Sequence, residues 1–182
     1  PVTLSGKELR IPTSIGISIT CDSATSPETL MQQADIAMYH AKQAGRDNFK
    51  LFESSMSQQA SEQFDAEHLL SQSLRSGKNL VMYYQPKVDK HNSLTGLEAL
   101  VRMTTENHKI VPPSHFIPLA EESGQIIELE QLILQLVFEQ IAVWHSIYTR
   151  MPRVSINLSG KHLLSDRFIP YLKACMAQNK IK

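Results

Sequence analysis

The sequence predicts an α/β protein in two parts, and three observations carry the prediction. From Leu80 onward, β-rich and helical segments follow in the order strand, strand, helix, helix, strand, helix, the succession of a domain whose parallel strands alternate with helices. Ahead of it, a β-rich run, a well-marked helix and a short strand form a smaller α/β group over residues 1–53. Between the two, residues 53–64 turn polar with good helix formers and few candidate core residues, which places a domain boundary there. The 182 residues are enough for two domains with a sizeable core. A hydrophobic content of 42% and a charged content of 20% are ordinary for a soluble protein. Lys+Arg and Asp+Glu balance at 18 each, so no excess of charge points to a nucleic-acid polymer or a membrane surface.

The elements follow in order. Val2-Thr3-Leu4, a Ser5-Gly6-Lys7 turn and a β-rich run from Leu9 to Thr20 read as a hairpin. Gly16 inside that run predicts close backbone approach by a neighbour or a ligand. Ser26 as N-cap, Pro27 at the first helical position and Glu28 in the first turn open a helix whose Leu30, Ala34, Ala37, Met38 and Ala41 recur at helical spacing. Gly45 closes it, and Asn48–Phe52 reads as a short strand. The polar helix from residue 53 runs through Leu69-Leu70 to Ser76-Gly77. Leu80–Val88 and Leu94–Met103 are strands about a Lys90-His91-Asn92-Ser93 turn. Pro112-Pro113-Ser114 leads a helix through Phe116 to Glu122, closed by Gly124. The longest apolar stretch, residues 126–148, is interrupted by Glu128, Glu130, Gln131, Gln135, Glu139 and Gln140, which makes it a buried amphipathic helix and not a membrane span. Val154–Leu158 is a third strand, and residues 165–178 form a last helix with Pro170 in its early turns. Cys21 and Cys175 lie far apart without metal-ligand spacing, and no signal peptide is visible, so a reducing cytoplasmic setting is expected.

Most of the chemical information lies in Leu97-Glu98-Ala99-Leu100-Val101-Arg102. Strand alternation puts Glu98, Leu100 and Arg102 on one face and Ala99 and Val101 on the other. A carboxylate and a guanidinium on an inner strand face are expensive to bury unless they meet a metal, a phosphate or each other. Two readings stay open on the residues alone: a supporting ion pair, or a site for an anionic, metal-assisted substrate. Asn157 is either a strand-end or capping residue or a ligand, and Gln85 bonds either a neighbouring backbone or a substrate. Glu121 and Glu122 read as helix-surface carboxylates. His40, His68, His108, His115, His145 and His162 lack metal spacing and take surface or core roles. Lys42 and Arg46, four apart near a helix end, complement the helix dipole.

Four blocks then occur in order: Tyr83-Tyr84-Gln85-Pro86-Lys87-Val88, Gly96-Leu97-Glu98-Ala99-Leu100-Val101-Arg102, Pro113-Ser114-His115-Phe116-Ile117-Pro118-Leu119-Ala120-Glu121-Glu122-Ser123-Gly124, and Ser155-Ile156-Asn157-Leu158-Ser159. Together they resemble the first half of an EAL domain, the cyclic di-GMP phosphodiesterase family. Upstream, Ser14-Ile15-Gly16-Ile17 and the run from Ala34 to Asn48 resemble the C-terminal third of a GGDEF domain, the diguanylate cyclase family. The resemblance covers nearly the whole chain. It implies part of a bacterial GGDEF–EAL signalling protein: residues 1–53 the C-terminal part of a GGDEF domain (nucleotide-cyclase-like α/β), 54–64 a linker helix, and 65–182 the N-terminal half of an EAL domain. The GGDEF signature loop, the paired aspartates of a DDFGTG-like segment and a lysine near the reacting phosphate are not among these residues. Met103 stands where many relatives have tryptophan.

The implied fold for the second part is the first half of a TIM-like (β/α) barrel with an atypical first strand, its chemistry at strand C-terminal ends. The resemblance implies that Glu98 and Asn157 coordinate Mg²⁺ or Mn²⁺, hard cations suited to oxygen ligands. It also implies that Gln85 and Arg102 contact substrate, that Leu100 and the Pro118-Leu119 corner wall the guanine, and that Lys42 and Arg46 contact phosphates of GTP. The implied reaction is metal-dependent hydrolysis of cyclic di-GMP to pGpG. The rival expectations are a catalytically silent cyclic di-GMP receptor or diguanylate cyclase activity from the GGDEF half. A homodimer is expected of the parent protein, and no phosphodiesterase turnover from these 182 residues alone, because a metal site needs its full ligand set.

Overall fold

In the computed structural model, which describes residues 2–4, 7–9, 12–21, 25–149 and 151–181, the chain divides between Phe64 and Asp65 into two units. In the first, β1 (Val2–Leu4) and β2 (Lys7–Leu9) pair antiparallel as a hairpin. The predicted turn residues Ser5 and Gly6 lie outside the described residues. The β-rich run does not continue as one strand from Leu9 to Thr20. It resumes as β3 (Ser14–Ile17), with Pro12, which has no N–H to give a ladder, in the interval. β3 pairs parallel with β4 (Asn48–Leu51). A parallel pair needs a crossover, supplied by α1 (Pro27–Gln43).

Helix α1 starts where its capping chemistry dictates: the Ser26 hydroxyl accepts the Thr29 N–H at 3.2 Å and Pro27 takes the first position. Ala37 and Ala41 are fully buried beneath it. Gly16 explains how closely helix and strand approach, because a Cβ there would collide with the main chain of Ala34 and Met38. The neighbour that the glycine anticipates is therefore α1. At the helix end Gly45, Arg46 and Asp47 all have positive φ, and the Asn48 carboxamide bonds the carbonyls of Ala41 and Arg46 across the turn. Helix α2 (Ser54–Ser76) carries the chain across the division between the units.

The second unit is a mixed sheet with helices on one face. β5 (Leu80–Val88) pairs antiparallel with β6 (Leu94–Thr104) along nearly its whole length. The other edge of β6 is shared by a short antiparallel strand, β7 (Ile110–Val111), and by parallel β8 (Arg153–Ile156). The hairpin turn between β5 and β6 is closed by the Asp89 carboxylate, which accepts the N–H groups of His91 and Ser93, with Asn92 in the left-handed region. Alternation then sorts the side chains. Leu80, Ala99, Val101 and Met103 face the helices and are buried, with Met82, Tyr84, Val154 and Ile156 packed beside them.

Three helical stripes cover this face. They come from α2 (Ala66, Leu69, Leu70, Leu74), α3 (Pro113–Glu122: Phe116, Leu119, Ala120) and the first half of α4 (Ile126–Ile147: Ile126, Leu129, Ile133, Val137). Burying a side chain such as Phe116 contributes about 2–3 kcal/mol. A second cluster joins Leu134 and Phe138 of α4 to Phe168 and Cys175 of α6 (Phe168–Gln178). Between β8 and α6 lies a one-turn helix, α5 (Gly160–Leu163). Cys21 is exposed, Cys175 is buried, and both are free. Among the described residues no helix is long and apolar enough to cross a membrane.

Gly16→Ala tests the β3–α1 contact. The main chain it strikes cannot swing aside as a side chain would, so the substitution is expected to destabilise by about 3 kcal/mol, read as lost hydrogen-exchange protection across α1.

Candidate functional site

The face of the sheet turned away from the helices collects the polar side chains. Register sets them in rows: Gln85 stands opposite Glu98, which stands opposite Ser155; Tyr83 stands opposite Leu100; Val81 stands opposite Arg102. Asn157 follows directly on the last residue of β8. Five residues singled out by the sequence, Gln85, Glu98, Leu100, Arg102 and Asn157, thus come to one face and its strand end.

Glu98 is the centre of this group. One carboxylate oxygen accepts the Asn157 carboxamide N–H at 3.0 Å, and the other lies 3.3 Å from the Lys87 ammonium. Lys87 also donates to the Ser155 hydroxyl at 3.1 Å. The Asn157 hydrogen bond first, and then the hydrogen bond and charge of Lys87, hold the Glu98 carboxyl below its ordinary pKa. Of the two open readings, the supporting ion pair between Glu98 and Arg102 does not form. Arg102 points along the strand, donates to the Val101 carbonyl at 2.7 Å, and lies over the Tyr83 ring with its guanidinium carbon 5.7 Å from the centroid. Its fork thus lies beside the aromatic ring of Tyr83, the residue opposite Leu100.

Beside the site, a cavity of about 350 Å³ is lined by the middle of β6, the end of β8, and residues of α3 and α4. Leu100 and Asn157 are among the residues that line it, together with Ile117, Glu121, Glu130 and Ser159. Its size is at the lower end of small-molecule pockets. Pro118 and Leu119 do not line it. Leu119 is 7% exposed and belongs to the core with Phe116 and Ala120, while Pro118 faces solvent. Glu121 and Glu122 are both exposed. In the first unit Lys42 lies in the last turn of α1 and Arg46 beyond its end, both exposed.

Three participants were not assigned roles by the sequence. Lys87 was legible in principle, since it stands two residues from Gln85 on the same strand face. Tyr83 needed only the same rule: Tyr84 turns inward, edge-on to Trp144, with burial pushing its hydroxyl up to about 12. Glu130 was read as an interruption of the α4 apolar stretch, yet it occupies the buried stripe itself at 4% exposure. A carboxylate at such a position requires partners. It finds them in Ser159 and His162. Among the described residues no three His, Cys, Asp or Glu side chains converge as a metal site. The oxygens offered to a cation here are those of Glu98 and the Asn157 carboxamide.

Residues 67–182 match the EAL domain family, and residues 1–48 match the family described as diguanylate cyclase, GGDEF domain. The chain belongs to the EAL family and carries GGDEF sequence ahead of its EAL portion. It is 38% identical over 161 residues to the bifunctional diguanylate cyclase/cyclic di-GMP phosphodiesterase MucR of Pseudomonas aeruginosa, a match covering 88% of this chain and 23% of that protein. It is 32% identical over 165 residues to the cyclic di-GMP phosphodiesterase PdeR of Escherichia coli, covering 91% and 25%. The solved PaMucR phosphodiesterase in complex with c-di-GMP superposes with a TM-score of 0.59 at 26% identity, covering 64% of this chain and 47% of that one. The chain spans about a quarter of the length of these curated relatives. The second unit has the α/β fold of part of an EAL barrel.

A group whose folded pKa is depressed stabilises the fold above its ordinary value and ceases to do so as pH falls through the depressed one. Glu98 is expected to follow this pattern. In an NMR titration of its carboxyl carbon the midpoint falls below that of a free glutamate, and both Asn157→Ala and Lys87→Met move it upward.

Proposed function

We propose that the EAL portion of this chain belongs to a metal-dependent phosphodiesterase that opens cyclic di-GMP to linear pGpG. The observation that supports this reading best is the mid-strand Glu98 carboxylate bonded by Asn157 from the end of β8, with an ammonium already against it and Arg102 two pleats along the same face. An electron-rich oxygen cluster that draws in Lys87 is one a hard divalent ion fits. In this reading Glu98 and Asn157 hold Mg²⁺ or Mn²⁺, the carboxamide having an acceptor as well as the donor it uses here. The chemistry such an ion supplies is activation of water and neutralisation of charge on the phosphodiester.

The chain's own residues then orient the substrate. Arg102 offers its forked donors to a phosphate, with the Tyr83 ring beside it. Gln85, directly across from Glu98, bonds the same nucleotide, and Leu100 provides an apolar wall at the mouth of the cavity. With a divalent ion held by Glu98, Lys87 would keep its hydrogen bond to Ser155 and be freed to meet an anionic group. Hydrolysis adds water across one P–O bond, leaving a terminal phosphate and a free hydroxyl. In the same reading residues 1–53 are the C-terminal part of a GGDEF domain, with Lys42 and Arg46 facing phosphate, residues 54–64 are a linker helix, and the activity belongs to the cytoplasm.

The test is conversion of cyclic di-GMP to pGpG with Mg²⁺ by the protein that carries this segment. Glu98→Ala is expected to lower the rate more than about 100-fold. An unaltered rate overturns the assignment, and tight binding of cyclic di-GMP without turnover makes the protein a receptor instead. Arg102→Lys keeps the charge but loses the fork and its stacking, so KM for cyclic di-GMP is expected to rise with less change in kcat.

A further inference from the structure

Glu130 is placed and partnered in a way that core packing does not explain. It sits on the buried stripe of α4 among Ile126, Leu129, Ile133 and Leu134, where an aliphatic side chain would pack without any desolvation penalty. Its carboxylate is instead surrounded by donors from one short segment. One oxygen accepts the Ser159 main-chain N–H; the other accepts the Ser159 hydroxyl at 3.2 Å and His162 Nδ1 at 2.8 Å. A carboxylate only accepts, so Nδ1 of His162 carries the hydrogen. Ser159 in turn caps α5, its hydroxyl accepting the His162 N–H at 3.3 Å. Lys161, between them, donates to the Glu121 carbonyl at the end of α3 at 2.9 Å.

Ser159 is two residues beyond Asn157. On its other side, Asn157 follows a strand whose register with β6 is fixed through Ser155 opposite Glu98 and Ile156 opposite Ala99. Asn157 is therefore held between a sheet ladder and a buried, charge-assisted anchor on α4. We propose that Glu130 is a positioning residue of the site: through Ser159 and His162 it fixes the strand-end segment so that the Asn157 carboxamide meets Glu98. This rests on the reading of Glu98 and Asn157 as the cation-holding pair, but the positioning itself is present without a cation, as the 3.0 Å Asn157–Glu98 bond shows.

The experiment compares Glu130→Gln, Asn157→Ala and the double variant. Glutamine keeps the shape but sets an amide N–H against one of the donors that the carboxylate accepts. In metal-free protein the side-chain amide NMR signals of Asn157 are expected to move toward those of a free asparagine in Glu130→Gln, and the Ser159 amide to lose exchange protection. The dissociation constant for Mn²⁺ is expected to rise roughly tenfold, and Asn157→Ala added to Glu130→Gln raises it no further than Asn157→Ala alone. Unmoved Asn157 signals, or Mn²⁺ effects that simply add, overturn the proposal and leave Glu130 a stability residue. If Glu130→Gln does not fold, His162→Leu removes one anchor only, and Asn157 signals unchanged in that variant overturn the proposal equally. If Glu98→Gln leaves Mn²⁺ binding unchanged, the cation reading falls, while the metal-free Asn157 signals still decide the role of Glu130.

Discussion

Strand β6 is bonded along both edges, by β5 on one side and by β7 and β8 on the other, and the second unit is organised around that double pairing. Because its side chains alternate strictly, fixing one fixes all. Ala99, Val101 and Met103 have to enter the core if α2, α3 and α4 are to bury their apolar stripes, and that commits Glu98, Leu100 and Arg102 to the opposite face. A slip of one residue would drive a carboxylate and a guanidinium under the helices and turn the small apolar side chains outward. The hydrophobic demand of one face thus enforces the chemical arrangement of the other, and neighbouring strands inherit it through register.

Two carboxylates in this unit solve the problem of charge differently. Glu98 keeps partial contact with water and is stabilised by one amide and one mobile ammonium, partners that other groups can replace. Glu130 is nearly sealed from solvent and bound by three donors of a single segment, which fixes it. The replaceable set suits a position where a ligand exchanges. The fixed set suits a foundation.

Much of the fold was legible because local chemistry and tertiary packing agree. Ser26-Pro27, Gly45, Gly77 and Gly124 mark helix ends that the structure reproduces, and the Leu80–Val88 strand has the bounds its alternation implies. What was not legible is short or long-range. β7 and α5 are too brief to show a period, and the start of β3 at Ser14 depends on its pairing with β4. On the site face, the shared side of Glu98, Leu100 and Arg102 follows from period two alone. The adjacency of Gln85 to Glu98 and the choice of Lys87 over Arg102 as ion partner require register, which no single strand contains. Leu119 illustrates the reverse: the resemblance implied a wall for the guanine, whereas the helical packing of α3 turns it into the core with Phe116 and Ala120.

The antiparallel course of β5 against β6 has a kinetic consequence. Gln85, Tyr83 and Lys87 reach Glu98 and Leu100 through a tight hairpin, whereas Asn157 is separated from Glu98 by 59 residues and arrives only after α3 and α4 have docked. Loop-closure entropy makes the first encounter quick and the second slow. During refolding, the hairpin side of the site is assembled first, and the Asn157–Glu98 pair at its centre is completed last.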